Sequence, residues 1–280
     1  MPLHHSSPPQ HHQAPPGLRA WLDSVDAARE PSVREVVIDG VACVVKRRRS
    51  GLLQGLGYTL RYARALGLAL GCKLFLGEFP RPSVLLRNGL AYEAERLRRL
   101  SQAGCRVPQV WWEEPGLLVL EHVGEDLAGV VRHADAAQRV QWVRALAADL
   151  AAFHARGHWH GGAQVRNITL RDGDLWRIDF EENIGGALSL PLAQAYDLFQ
   201  LVSSLLGLRK LEDDNLPGLG KLMLDVYFEA HPAPHVRARL QRLARVVCAG
   251  AAVLRPVAGR LPGRDIQGFF RVADTLRTLY

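Results

Sequence analysis

Lys46 ends a β-branched run, Glu93 lies in a strongly helical stretch, Asn167 follows the turn HGG at 160–162, and Asp179 precedes FEEN. In that order the four residue types suit phosphoryl transfer from ATP. A cation can hold nucleotide phosphates, a carboxylate can fix that cation, and hard oxygens can hold Mg2+. The stretch HGGAQVRN at 160–167 has no acid where such a site keeps its proton acceptor. Taken singly, each residue has a plainer reading. Lys46 beside Arg47, Arg48 and Arg49 would be a solvated basic strand end, Glu93 a surface helix residue, and Asp179 a turn cap. It is the order and spacing of the set that carry the chemical reading.

The elements that must position these residues can be read outward from them. The run SVREVVIDGVACVVKRRR turns at Asp39-Gly40, which predicts a hairpin whose second strand ends on Lys46. Tyr92, Leu97 and Leu100 recur near helical spacing, and Gly104 with Pro108 closes that helix. QVWWEE and GLLVLEHVG, split by Pro115-Gly116, predict paired strands. A long Ala/Leu-rich helix then ends at Gly157, and NITLRDGDLWRIDF predicts a second small hairpin at Asp172-Gly173. The remainder is helical, with Pro and Gly between segments. Strands with one helix, followed mostly by helices, predict a sheet-containing part joined to a helical part.

Composition bounds the rest. With 280 residues, 48% hydrophobic and 22% charged, the chain can bury a substantial core. The formal charge of +7 favours anionic partners. A nucleic-acid module is disfavoured, because the excess Arg is not interleaved with an aromatic platform and no zinc-finger or RNP-type motif is present. Cys43, Cys72, Cys105 and Cys248 form no CxxC pair, which fits a reducing, cytoplasmic setting. Residues 1–17, polar and rich in Pro and His, read as a disordered tail. The apolar stretch 51–79 is interrupted by Arg61, Arg64 and Lys73. It predicts either a helix packed on the core or a basic amphipathic segment lying on a membrane surface. His154, His158 and His160 resemble a metal cluster, but Gly157 breaks the helix that would present the first two together.

VVKRR, YEAERLRRLSQAGCRVPQV, LVLEHVGEDL, LAAFHARGHWHGGAQVRN and WRIDFEEN, with LAQAYDLFQLVSSL behind them, resemble the protein-kinase-like superfamily. Within it they are most similar to bacterial lipopolysaccharide-core sugar kinases and Bud32/RIO-like atypical kinases. The resemblance runs from about Val33 to Leu206. It implies an α+β, two-lobed fold, with a small antiparallel-sheet N-lobe carrying one main helix (18–121) and a mainly helical C-lobe (122–280). Lys46 would contact the α/β phosphates and pair with Glu93, or with Glu95 if the alignment slips. Residues 119–123, including Glu121 and Val123, would contact adenine through their backbone. Asn167 and Asp179 would hold Mg2+, Asp197 would brace the catalytic loop, and His160 would begin it.

The departures matter equally. Gly162 stands at the position of the family's catalytic Asp, and no glycine-rich loop precedes Lys46. Three readings of Gly162 follow: Glu181 or Glu182 substitutes as the acid, transfer proceeds without a strong base, or the domain is a pseudokinase. The expected function is ATP-dependent phosphorylation of a sugar hydroxyl in a lipopolysaccharide-core or lipid-linked acceptor, at the cytoplasmic face of the inner membrane. The alternative is a nucleotide-sensing or scaffold protein.

Overall fold

The computed structural model describes residues 9–24, 31–48, 54–86, 88–208, 218–258 and 264–279. Helix α1 (Leu18–Ser24) precedes the hairpin β1 (Val33–Ile38) and β2 (Val41–Arg47). Asp39 and Gly40 both take positive φ, 49° and 77°, as a two-residue hairpin turn requires. Strands β3 (Val110–Glu114) and β4 (Leu117–Glu121) complete an antiparallel sheet in the order β1-β2-β4-β3. Alternation along β2 sorts its side chains between two surroundings. Cys43 and Val45 join Val36, Ile38 and Val119 in a small core beneath Leu18 and Trp21 of α1. The alternate residues Val44 and Lys46 point to the opposite side, together with Leu120 of β4.

Between β2 and β3 lie α2 (Gln54–Leu76), α3 (Pro82–Leu85) and α4 (Leu90–Gln102). Leu90, Glu93, Ala94, Leu97 and Leu100 are the buried residues of α4, spaced so that they share one face against the sheet. Although they precede β3 in the chain, α2 and α3 pack onto α10 (Pro234–Ala258) and α7 (Ile184–Ala187) of the later half.

From β5 (Glu125–Asp126) onward the chain is mainly helical: α5 (Leu127–His133), α6 (Ala136–Ala155), α8 (Leu190–Leu206), α9 (Leu219–Ala230), α10 and α11 (Arg264–Leu276). A small sheet, β5-β6-β7, is built on the hairpin of β6 (Ile168–Arg171) and β7 (Asp174–Arg177). Asp172 and Gly173 turn it with φ of 53° and 84°. Helix α6 starts in a capping box between Asp135 and Gln138 and is closed by Gly157 at φ 77°. The main core joins α4 and β4 to α5, α6, α8, α9 and α10. The molecule is therefore α+β, with an antiparallel sheet in its N-terminal region and a mainly helical C-terminal part, as the element order implied.

The expectation of a disordered tail is corrected for residues 9–17. The His11 ring lies 2.7 Å from the buried Glu121 carboxylate, and the His12 amide donates to the same group at 2.9 Å. Gly17 N–H donates to Asp39 at 2.6 Å. His11 also stands edge-on to Trp176, with ring centroids 5.4 Å apart. Polar contacts to one buried carboxylate order this stretch, where its poverty in apolar residues pointed to disorder. Residues 1–8 lie outside the described residues.

Candidate nucleotide site

Lys46 is where the sheet, α4 and the segment after β7 meet. Its Nζ donates to both oxygens of Glu93, at 2.9 and 3.0 Å, and to Asp179 at 3.0 Å. Glu93 is fully buried and also accepts from the Phe180 amide at 3.3 Å. Glu95 faces outward and pairs with Arg99 on its own helix, so the choice between the two acids is settled for Glu93. Burial works against the Lys46 ammonium, but Glu93 and Asp179 outweigh it and push its pKa up to about 12. Burial pushes the Glu93 carboxyl up, opposed by Lys46.

Asp179 takes φ 66°, a left-handed conformation uncommon for a residue with a side chain. Two residues on, Glu181 is held by Arg48 at 2.6 Å and lies 3.5 Å from Lys46. Glu181, expected as a substitute proton acceptor, is thus engaged by two cations in this structure. Glu93, Asp179 and Glu181 each place an oxygen within 4.8 Å of the others. These three carboxylates face two cations, Lys46 and Arg48. The surplus negative charge and hard oxygen donors fit a divalent ion such as Mg2+.

The loop at 160–167 is built around Asp197, which α8 places at its centre. Asp197 accepts from the amides of His160 at 2.5 Å and Gly161 at 2.7 Å, and lies 3.3 Å from His154 Nε2. Burial opposes its charge, yet the His154 contact and these amides hold its carboxyl below the usual range. The Gly162 amide donates to His160 Nδ1 at 3.1 Å, so the ring proton sits on Nε2, 3.1 Å from the Ile178 carbonyl. Burial lowers the His160 pKa to about 4, and its neutral ring stacks on Phe180 at 4.2 Å. Asn167 Nδ2 donates to the Gly162 carbonyl at 2.8 Å, which leaves its Oδ1 as the available ligand oxygen. The suggested His154, His158 and His160 metal cluster does not form. His154 is taken up by Asp197 and by Tyr227 at 2.7 Å.

The two glycines of this loop differ in kind. Gly161 has φ 94°, and an added Cβ would come within 2.9 Å of the Glu182 carbonyl oxygen, so glycine is required there. At Gly162 an added Cβ would meet Asn167 Nδ2 at 3.4 Å, an ordinary contact, so a Cβ is accommodated there. Glu182, whose backbone carbonyl lies against Gly161, is the second Glu of FEEN. Burial, then Asp179 and Glu181, raise its pKa, against the pull of Arg166.

Lys46 and Asp179 line a cavity of about 550 Å³ with Val44, Leu120, Val123 and Ile178. Val123 keeps its amide without an acceptor among the described residues, while its carbonyl accepts from Thr169 Oγ1 at 2.6 Å. Glu121, expected to act through its backbone, uses its side chain to receive His11, His12 and Arg171, the last at 2.7 Å. Thr169 and Arg171 escaped sequence reasoning, since a Thr or Arg in a short strand carries no distinguishing signal.

No family model matches the chain, and no curated protein sequence matches it. Among solved structures, it is similar to Rv3197 from Mycobacterium tuberculosis, solved with erythromycin. That match has 18% identity and a TM-score of 0.41, and covers 88% of this chain and 70% of the other. It is also similar to the MAP kinase LMAMPK10 from Leishmania major. There the identity is 15% and the TM-score 0.38, with 92% of this chain and 80% of the other covered. The chemistry of the site rests on its own residues.

Proposed function

We propose that this protein is a kinase-like phosphotransferase that binds ATP with Mg2+ between the N-terminal sheet and the loop at 160–167. The observation that carries the reading is Lys46, held by Glu93 and Asp179, in a cavity that Val44, Leu120, Val123 and Ile178 also line. Val44 and Leu120 would pack on the adenine ring, and the Val123 amide would donate to it. Lys46 would hold the phosphates. Asp179 and Asn167 would hold Mg2+, which supplies charge neutralisation of the transferring phosphoryl group.

Glu182 is the acid proposed to receive or orient the acceptor proton. Its carboxyl lies within the fields of Asp179 and Arg166, and its raised pKa strengthens it as a base. The acceptor class, a sugar hydroxyl of a lipopolysaccharide-core or lipid-linked molecule, follows from the sequence resemblance.

The deciding experiment is calorimetry of ATP binding with and without magnesium, on the parent, Lys46→Ala and Asp179→Asn. Binding that depends on magnesium and weakens at least about tenfold in both variants is expected. A folded parent that binds no nucleotide overturns the reading. With an acceptor in hand, Glu182→Gln should lower single-turnover rates about 10²–10⁴-fold while ATP affinity holds. Gly162 itself favours a second reading, a nucleotide-binding pseudokinase. Gly162 accommodates a Cβ, so activity gained in Gly162→Asp from a silent parent would support the pseudokinase, whereas loss of an existing activity would support the enzyme.

A further inference from the structure

Helix α2 leaves large apolar side chains on its outside. Among its described side chains, Ala65 and Ala69 are buried, Ala69 completely. On the outside Leu66, Leu70 and Leu74 follow one another at intervals of four, a single helical stripe, with Leu70 56% and Leu74 73% exposed. Phe75 and Phe79 extend this surface and are also exposed. A helix serving a water-soluble core keeps large apolar residues off its outer face, and this one does not. A contiguous apolar surface of this kind marks an interaction face.

Charge selects the partner. From Gln54 to Gly77 the sequence has no Asp or Glu, while it carries Arg61, Arg64 and Lys73. Lys73 and Arg81 are exposed beside Leu74, Phe75 and Phe79. The first carboxylate after the helix, Glu78, is turned inward to Arg239 at 2.9 Å and Ser189 at 2.6 Å. A second copy of the chain would bring its own Lys73 and Arg81 against these and be repelled. An anionic lipid surface satisfies both the leucines and the cations. Among the described residues no helix is long and apolar enough to cross a membrane.

We propose that α2 lies in the plane of an anionic phospholipid surface, with Leu66, Leu70, Leu74 and Phe75 inserted and Lys73 at the headgroups. The inference does not rest on phosphotransfer, though it has a bearing on it. Helix α2 packs on α3, and Val84 of α3 accepts from Asn183 at 3.1 Å, four residues beyond Asp179. Docking by α2 would therefore hold the segment after Asp179 near lipid.

The test is co-sedimentation of the full chain, without nucleotide, with phosphatidylcholine vesicles prepared with and without phosphatidylglycerol. The parent should pellet with the anionic vesicles, stay in solution with the neutral ones, and be released by salt. The double variant Leu70→Asp, Leu74→Asp should lower the partition coefficient at least about tenfold, and Lys73→Glu should weaken it by less. Melting temperatures near the parent's would show that both variants fold, as expected for exposed positions. A parent that stays in solution with anionic vesicles overturns the proposal. If the same double variant then abolishes a concentration-dependent dimer, the face belongs to a second copy. Pelleting that the double variant leaves unchanged overturns it equally. Because nucleotide is absent throughout, none of these failures touches the reading of the Lys46 site.

Discussion

Lys46 and Glu93 are a buried pair whose partners are not interchangeable. Replacing Lys46 by Ala leaves Glu93 fully buried with the Phe180 amide as its remaining donor. That should cost about 3–5 kcal/mol in urea unfolding, the range for a buried pair broken on one side. Glu95→Ala removes only an exposed pair with Arg99 and should stay within about 0.5 kcal/mol. The contrast checks the pairing without any nucleotide. His160 gives a second check. Its pKa is about 4 when folded, against about 6.5 when unfolded, so between these values the unfolded chain binds more protons and stability falls as the pH is lowered. Its share of the slope should approach about 1.4 kcal/mol per pH unit in mid-window. His154, whose pKa burial also lowers, adds in the same direction. Thermal melting from pH 7.5 down to 5, parent against His160→Asn, reads this as a flatter acid limb in the variant. Lys46, Glu93, Asn167 and Asp179 were legible as a set from their order and spacing, and Asp197 through the family resemblance. The environment of Glu181 was not, since Arg48 lies 133 positions away and nothing local announces the pair.

At the scale of elements, legibility followed the strength of the local signal. Both Asp-Gly hairpins were readable because each needs two positive φ values, which few dipeptides accept. Helix α4 was readable from its one apolar face. Helix α2 offered apolar residues around most of its circumference, so periodicity could not say which side meets the protein. The answer came from α10 and α3, both distant or irregular in sequence. The start of α6 depends on a reciprocal cap, with the Asp135 side chain accepting from the Gln138 amide at 2.8 Å. Asp135→Ala should therefore lower stability by about 1 kcal/mol, measured as a shifted denaturant midpoint with unchanged slope.

For the whole molecule, the N-terminal segment is a strap rather than a loose end. It crosses from α1 to Glu121, 110 positions along the chain from His11, and shares that carboxylate with Arg171. Removing residues 1–12 should leave Glu121 with Arg171 and the Gln109 amide, at 3.3 Å, and cost about 1–3 kcal/mol in urea unfolding. A truncated chain as stable as the parent would show that the strap carries no load. Composition could not reveal this, because it counts apolar residues and the strap is held by one buried acid.

The His12 amide has a consequence for hydrogen exchange. It sits in a stretch of Pro, His and Gln that by sequence alone should exchange its backbone protons at once. Yet it donates to a carboxylate that is only 1% exposed. Deuterium uptake at His12 should consequently be slow and set by the opening of the strap.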